Sequence, residues 1–167
     1  MFSVEDVDDF LHFYFSEEGI TSKKELEKRL DLIKNTLAAY YGCSEEQIAT
    51  SDVNFSEENI ARVPYVAIFG NANFCESSTS DLGNLQLVGK SVILEKSNVE
   101  DLQGLTYVGK NIYFIHSKVK NLGTLQYVGG KAYFDYKSSL EELYTDNFDE
   151  NGNKIDPNKA LCLVKTK

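Results

Sequence analysis

Two histidines, three cysteines and one Asn/Asp-rich loop are the groups in this 167-residue chain whose types and spacing could do chemistry. His12 stands between Leu11 and Phe13 in an aromatic run, and His116 follows an alternating apolar stretch. Neither has a serine or cysteine at a spacing that suggests a nucleophile–base pair, so both read as packing or surface histidines. Cys43, Cys75 and Cys162 are odd in number and far apart, with no C-x-x-C and no Cys/His cluster. Free thiols are expected, not a disulfide framework or a zinc site. Gly70-Asn-Ala-Asn lacks the spacing and the Lys-Ser/Thr ending of a phosphate loop, and the Gly-Lys pairs at 89–90 and 109–110 read as turn residues. Asn147, Asp149, Asn151 and Gly152 imitate the start of a calcium loop. The twelfth position is Asn158, where a bidentate glutamate is needed, and Pro157 precedes it. A hairpin with solvated carboxylates is the favoured reading, with a weak calcium site as the alternative. No catalytic residue, cofactor or metal is therefore expected, and the chain reads as non-enzymatic.

Charge says more about partners. The net charge is −9. Residues 1–60 hold fourteen acidic and five basic side chains, whereas 61–143 and 144–167 are each balanced. The whole excess lies in the first third. Direct nucleic-acid binding is disfavoured because phosphate repels carboxylate, and a protein partner with a basic surface is favoured. No apolar run reaches the length of a membrane helix, so no membrane role is expected. The acidic start, MFSVEDVDDF, is unlike a signal peptide, and a cytoplasmic location is the expectation.

The elements that position these groups come from a repeat. Residues 65–144 fall into four rows of twenty: YVAIFGNANFCESSTSDLGN, LQLVGKSVILEKSNVEDLQG, LTYVGKNIYFIHSKVKNLGT and LQYVGGKAYFDYKSSLEELY. Down the rows run Tyr65/Leu85/Leu105/Leu125, Ile68/Val88/Val108/Val128, Ala72/Val92/Ile112/Ala132 and Phe74/Leu94/Phe114/Phe134. Such a period with apolar columns marks a solenoid, in which no coil buries its apolar side alone and stacking does so. The V-G-K-x-V-x-L segment alternates and reads as one strand; the S-x-V-x-x-L segment reads as an irregular or 3₁₀ return. Glycine before the strand reads as a turn that a Cβ would strain. Serines 77, 97 and 117 are expected to bond neighbouring backbone.

The flanks differ from the rows. Residues 3–17 read as an acidic helix, and 22–41 as a longer one with the stripe Leu26, Leu30, Ile33, Leu37, Tyr41 and capping-box spacing at Ser22 and Glu25. Ser44 and Gln47 repeat that spacing and predict a third short helix. Residues 49–64 read as a connector. Asn151-Gly152 predicts a type I′ hairpin, and Ala160–Val164 a last strand. The expected class is α+β: a short parallel β-solenoid of about four coils, leucine-rich-repeat-like, with an N-terminal α-helical cap. Its parts are an acidic helical cap over 1–60, the repeat over 61–143 and a C-terminal hairpin or strand cap over 144–167.

The rows V-G-G-K-A-Y-F, G-N-A-N-F and S-x-V-x-x-L-G-x-L resemble bacterial and phage proteins built from twenty-residue leucine-rich-type repeats of the pattern I-G-G-x-A-x-F-x-x-S-x-V-x-x-L-G-N-L. The resemblance covers residues 65 to about 143, with Asp81-Leu-Gly-Asn-Leu85 and Asn121-Leu-Gly-Thr-Leu125 the best matches. It implies a right-handed coil and carries no activity with it. Asp101-Leu-Gln-Gly-Leu105 departs from the pattern.

Alternation leaves an outward face. Asn73, Ile93, Tyr113 and Tyr133 share one outward column, Cys75, Glu95, Ile115 and Asp135 the next, and Glu76, Lys96, His116 and Tyr136 lie at the strand ends. Ile93, Tyr113, Ile115, Tyr133 and Tyr136 would form an apolar, aromatic patch fit to bind a partner. Cover by the N-terminal helices and pairing of two copies as a homodimer are the alternatives. Leu87, Tyr107 and Tyr127 form a weaker second outward stripe. Asp6, Asp8, Asp9, Glu17 and Glu18 are the expected electrostatic contacts. The functional expectation is a protein–protein interaction module, in its sharper form a phage-encoded inhibitor of a basic nucleic-acid-binding host defence protein such as a CRISPR nuclease. A structural or envelope-associated bacterial repeat protein is the alternative.

Overall fold

The computed structural model describes residues 23–56, 60–136 and 138–155. The expected helix over 3–17, the carboxylates Asp6, Asp8, Asp9, Glu17 and Glu18, and the strand expected at Ala160–Val164 lie outside the described residues. Among the described residues no helix is long and apolar enough to cross a membrane.

Each coil contributes two short strands where the sequence suggested one. β1 (Ile48–Ala49), β3 (Ala67–Ile68), β5 (Leu87–Val88), β7 (Tyr107–Val108) and β9 (Tyr127–Val128) stack in parallel as a first sheet. β2 (Val53–Asn54), β4 (Ala72–Asn73), β6 (Val92–Ile93), β8 (Ile112–Tyr113) and β10 (Ala132–Tyr133) form a second. Parallel bridges Arg62↔Asp81 and Asp101↔Asn121 mark a third side. The molecule is a parallel β-solenoid, and the four rows of the sequence are four of its coils.

A corner breaks each expected strand in two because a side chain there takes over the hydrogen bonding. Asp52 Oδ1 accepts the Asn71 N–H at 2.7 Å, Asn71 Oδ1 the Ser91 N–H at 2.9 Å, Ser91 Oγ the Asn111 N–H at 3.1 Å and Asn111 Oδ1 the Lys131 N–H at 2.9 Å. Each corner side chain thus satisfies the amide of the coil above it, an amide that a continuous strand would have paired with backbone. The next turn uses the same device locally. Asp81, Asp101 and Asn121 each accept the N–H two residues on, at 2.7–2.8 Å. Gly83 and Gly123 turn there with φ of 62° and 56°, and Gln103 does so with φ of 51°. The departing coil therefore keeps the turn geometry and carries a strain of about 1–2 kcal/mol in place of a glycine.

The core runs through the middle of the coils. Val88, Leu94, Leu102, Leu105, Val108 and Ile112 have no exposed surface, and Phe114 has 2%. Phe55 stacks on Phe74 at 4.6 Å and Phe114 on Phe134 at 5.1 Å between centroids. Phe55 shows that the connector is a further coil. Val53 pairs with Ala72 and Arg62 with Asp81, so this coil lags its neighbour by nineteen residues while the later ones lag by twenty. The missing residue is at Pro64, one residue between Val63 and Tyr65 where the next coil has Gly83 and Asn84 between Leu82 and Leu85. One-residue loss shifts every column upstream of it, so a strict twenty-residue reading takes residues 49–64 for a connector.

α1 (Lys23–Tyr41) and the 3₁₀ turn Glu45–Gln47 follow the expected elements, the latter with Ser44 and Gln47 as its capping box. Leu37 and Ala38 of α1 join Ile48, Val66, Ala67, Phe69, Leu87 and Tyr107 in a second buried cluster on the outer side of the first sheet. The C-terminal end is closed by α2 (Ser139–Asn147), whose N-cap Ser138 accepts the Glu141 N–H at 3.1 Å. Leu140, Tyr144 and Phe148 lie over the last coil. α2 spans the expected boundary at 143/144, because the fourth row's SSLEELY turns helical where earlier rows return as irregular chain. Beyond it, Phe148 bridges Lys154 and Asn153 bridges Tyr127, both antiparallel. The expected type I′ turn is replaced: only Gly152 has a positive φ, and Asp149 Oδ1 accepts the N–H of Asn151 and of Asn153 at 2.9 Å.

The serine column divides. Ser77 Oγ accepts the Thr79 N–H at 3.1 Å as expected, but Ser97 Oγ and Ser117 Oγ are buried without a hydrogen-bond partner among the described residues. Ser97→Ala is expected to leave stability unchanged or raise it by up to about 1 kcal/mol, because it removes an unsatisfied hydroxyl. Ser77→Ala is expected to cost about 1 kcal/mol by orphaning the Thr79 amide. Urea unfolding of the two variants gives opposite signs if the column is divided in this way.

Burial raises two tyrosines. It pushes the Tyr41 hydroxyl up to about 12, with Tyr40 and Cys43 adding, and the Tyr144 hydroxyl up to about 12, with Asp149 adding. Both groups hold their protons more tightly folded than unfolded. Their contribution is complete below the ordinary tyrosine range near 10 and is lost as pH rises from there through about 12. The urea midpoint should therefore fall over that window, and Tyr41→Phe with Tyr144→Phe should flatten the fall.

Candidate interaction face

The outer side of the second sheet carries the site that the sequence singled out. Parallel register places Asn54, Asn73, Ile93, Tyr113 and Tyr133 in one column, one residue per coil. Tyr113 and Tyr133 stack with centroids 4.8 Å apart and ring planes 4° from parallel, the spacing of adjacent strands. Asn111 Nδ2 donates to the Tyr113 hydroxyl at 3.1 Å and ties the aromatic column to the corner ladder. Ile93, Tyr113 and Ile115 are half-buried, Tyr133 is 37% exposed and Tyr136, at the strand end, is 88% exposed.

The face has two ends of different character. A shallow groove beside the tyrosines is lined by Asn71, Ser91, Ile93, Glu95, Tyr113 and Ile115. The groove next to it, nearer the first coil, is lined by Asp52, Asn54, Asn71 and Asn73 with Val53 and Ile93. Apolar surface therefore grades into amide and carboxylate groups along the axis. Asn73 was read into the outward column, whereas Asp52 and Asn54 were missed because they belong to the nineteen-residue coil. The polar column Asn71, Ser91, Asn111 was visible in the rows and is the signal that could have found them.

Polar contacts follow the adjoining edge. Lys96 Nζ lies 3.4 Å from Glu76 Oε1, and His116 Nδ1 lies 3.2 Å from Asp135 Oδ1. Asp135 Oδ2 also accepts the His116 N–H at 3.0 Å. Glu76, Lys96 and His116 share a left-handed backbone with φ of 54–57°, which turns their side chains along the coil edge. These contacts engage Glu76, Lys96 and Asp135 along the edge, beside the open tyrosine column. Burial pushes the Cys75 thiol up, and the carboxylates of Glu95 and Glu76 push it further while Lys96 opposes them. A thiol so placed is a poor nucleophile near neutrality.

Among the described residues, only one of the two outward stripes read from the sequence is open. Leu87 and Tyr107 are buried to 1% and 4% exposure, and Tyr127 is half-buried, because the last turns of α1 pack on that side. Tyr107 and Tyr127 stack at 5.0 Å inside this cluster. The described helix thus covers the first sheet and not the Tyr113–Tyr133 column. No group of three or more His, Cys, Asp or Glu side chains is arranged to hold a metal among the described residues. No family model matches the chain, and no curated protein or solved structure matches it.

Proposed function

We propose that this chain is a non-enzymatic protein-interaction module that docks its partner on the outer face of the second sheet. The stacked pair Tyr113–Tyr133, open beside half-buried Ile93 and Ile115, carries this reading. Tyrosine offers large apolar area at low conformational cost and tolerates water, and such residues dominate interface energetics. The acidic excess of residues 1–60 favours a partner with a basic surface, and Asp31, Glu45, Glu46 and Asp52 are exposed within it. In its sharper form the reading is an inhibitor, encoded by a phage, that fills the basic groove of a nucleic-acid-binding host defence protein such as a CRISPR nuclease. The leucine-rich-type pattern of the rows and the acidic segment support that form.

The test is the double variant Tyr113→Ser with Tyr133→Ser. Capture from a lysate of the native host, compared with wild type by quantitative mass spectrometry, should lose the specific partner. The melting temperature should fall by no more than about 5 °C, since a stacked pair is worth about 0.5–1.5 kcal/mol. Sedimentation of the wild type separates a second copy from a foreign protein. Undiminished capture by the variant would sink the reading.

A further inference from the structure

Among the described residues, the rim of the last coil is unfinished on one side. In the second sheet, Ala72, Val92 and Ile112 each donate their N–H to the next coil, to the carbonyls of Ser91, Asn111 and Lys131 at 2.9 Å. Phe74, Leu94 and Phe114 do the same toward Ile93, Tyr113 and Tyr133 at 2.8–3.0 Å. Ala132 and Phe134 hold these two positions in the last coil, and no acceptor stands opposite either among the described residues. Their side chains tell the same story. The equivalents in earlier coils are at most 2% exposed, whereas Ala132 and Phe134 are only half-buried.

The first sheet of the same coil is closed. Val128 donates to the Gly152 carbonyl and Lys154 to the Gln126 carbonyl, both at 2.8 Å, and Leu125 and Val128 are fully buried. α2 lays Leu140 on the core and the Tyr144 ring 5.4 Å from that of Phe134, and among the described residues it offers no carbonyl to the Ala132 or Phe134 amide. A strand edge with free donors is a template for another chain, and adding a strand there is an established mode of peptide recognition.

We infer that the rim Ala132–Phe134 accepts an extended peptide strand from the protein partner as one further rung of the second sheet. The inference rests on the interaction reading above and names what the partner supplies. The two free amides call for main-chain carbonyls. Half-buried Ala132 calls for an apolar side chain on the inner side of that strand, beside Phe134 and the Tyr144 ring that packs on it, and Tyr133 calls for an aromatic side chain on the outer side to continue the stack. Two copies paired rim to rim would bring their α2 caps together on the core side, so a segment fits where a second copy does not.

A synthetic peptide with the sequence of residues 109–117, GKNIYFIHS, is a suitable probe, because it is the strand that the solenoid itself places next to β10. Added to the full chain, it should slow amide hydrogen exchange at Ala132 and Phe134 by about tenfold or more, read by NMR. Methylating the peptide's own tyrosine nitrogen, which faces the rim, should abolish the protection; methylating its phenylalanine nitrogen, which faces away, should not. Ala132→Pro removes one docking N–H at an edge position where proline is tolerated. It should lose protection at Phe134 with the melting temperature held. Exchange that is already slow at both amides in the free chain would overturn the proposal, since the chain would then fill its own rim. No protection at saturating peptide would overturn it as well. Partner capture that survives Ala132→Pro but not the double tyrosine variant would leave the interaction face standing and remove the rim.

Discussion

Phe114→Ala is expected to destabilise the chain by about 3–5 kcal/mol, the cost of emptying a fully packed aromatic site. Phe114 is 2% exposed and stacks on Phe134. Its neighbours along the column, Leu94 on one side and Phe134 on the other, belong to separate coils and cannot close the gap without moving whole rungs. Lys118→Ala, four residues on, is the control. Its ammonium donates to Asn98 Oδ1 at 2.7 Å from an exposed position. A loss within about 0.5 kcal/mol is expected there. Urea unfolding of both variants checks the register, and small equal effects would show that the inward and outward columns are misassigned.

Gly109→Ala is expected to cost about 3 kcal/mol, for a reason that the sequence did not suggest. The glycines at 89, 109 and 129 are not in the left-handed region. What excludes a Cβ at Gly109 is the Gly89 carbonyl of the coil below, into which it would press. Gly89 cannot retreat, because its own N–H donates to Ile68 at 2.7 Å and the Gly109 N–H to Val88 at 2.9 Å. Overpacking against fixed backbone of this kind costs about 1–3 kcal/mol, and here both sides are held. Gly104→Ala is the matched control. The nearest atom to its Cβ is the Leu85 carbonyl oxygen at 3.8 Å, an ordinary contact, and its φ is not in the left-handed region. That substitution should be neutral or stabilise by about 0.4–1 kcal/mol through the unfolded chain. Comparable losses from the two would refute the close approach.

The inward columns were legible in the sequence because burial in a solenoid repeats with the coil. Leu105, Val108, Ile112 and Phe114 are buried as expected, while Lys110 and Lys118 are exposed. The Tyr113–Tyr133 stack was legible for the same reason, since two residues twenty apart must be neighbours across a parallel ladder. Three features were not. The corner between β5 and β6 is made by side chains bonding amides of the next coil, and hydropathy is blind to that exchange. The coil at 48–63 was hidden by the residue missing at Pro64. The fate of Leu87 and Tyr107 depended on where α1 docks, which no periodicity within the repeat encodes.

The corner ladder has a mechanical consequence. Its bonds, like those of both sheets, run along the solenoid axis, so under tension between the two ends the rungs stand in series and each bears the whole load without sharing it. Each rung that yields would release twenty residues, about 66–72 Å of extended chain, in exchange for one strand spacing of about 4.8 Å. Stretched in this way, the chain would lengthen in near-equal steps from an end, with the nineteen-residue coil at Pro64 giving the one shorter step.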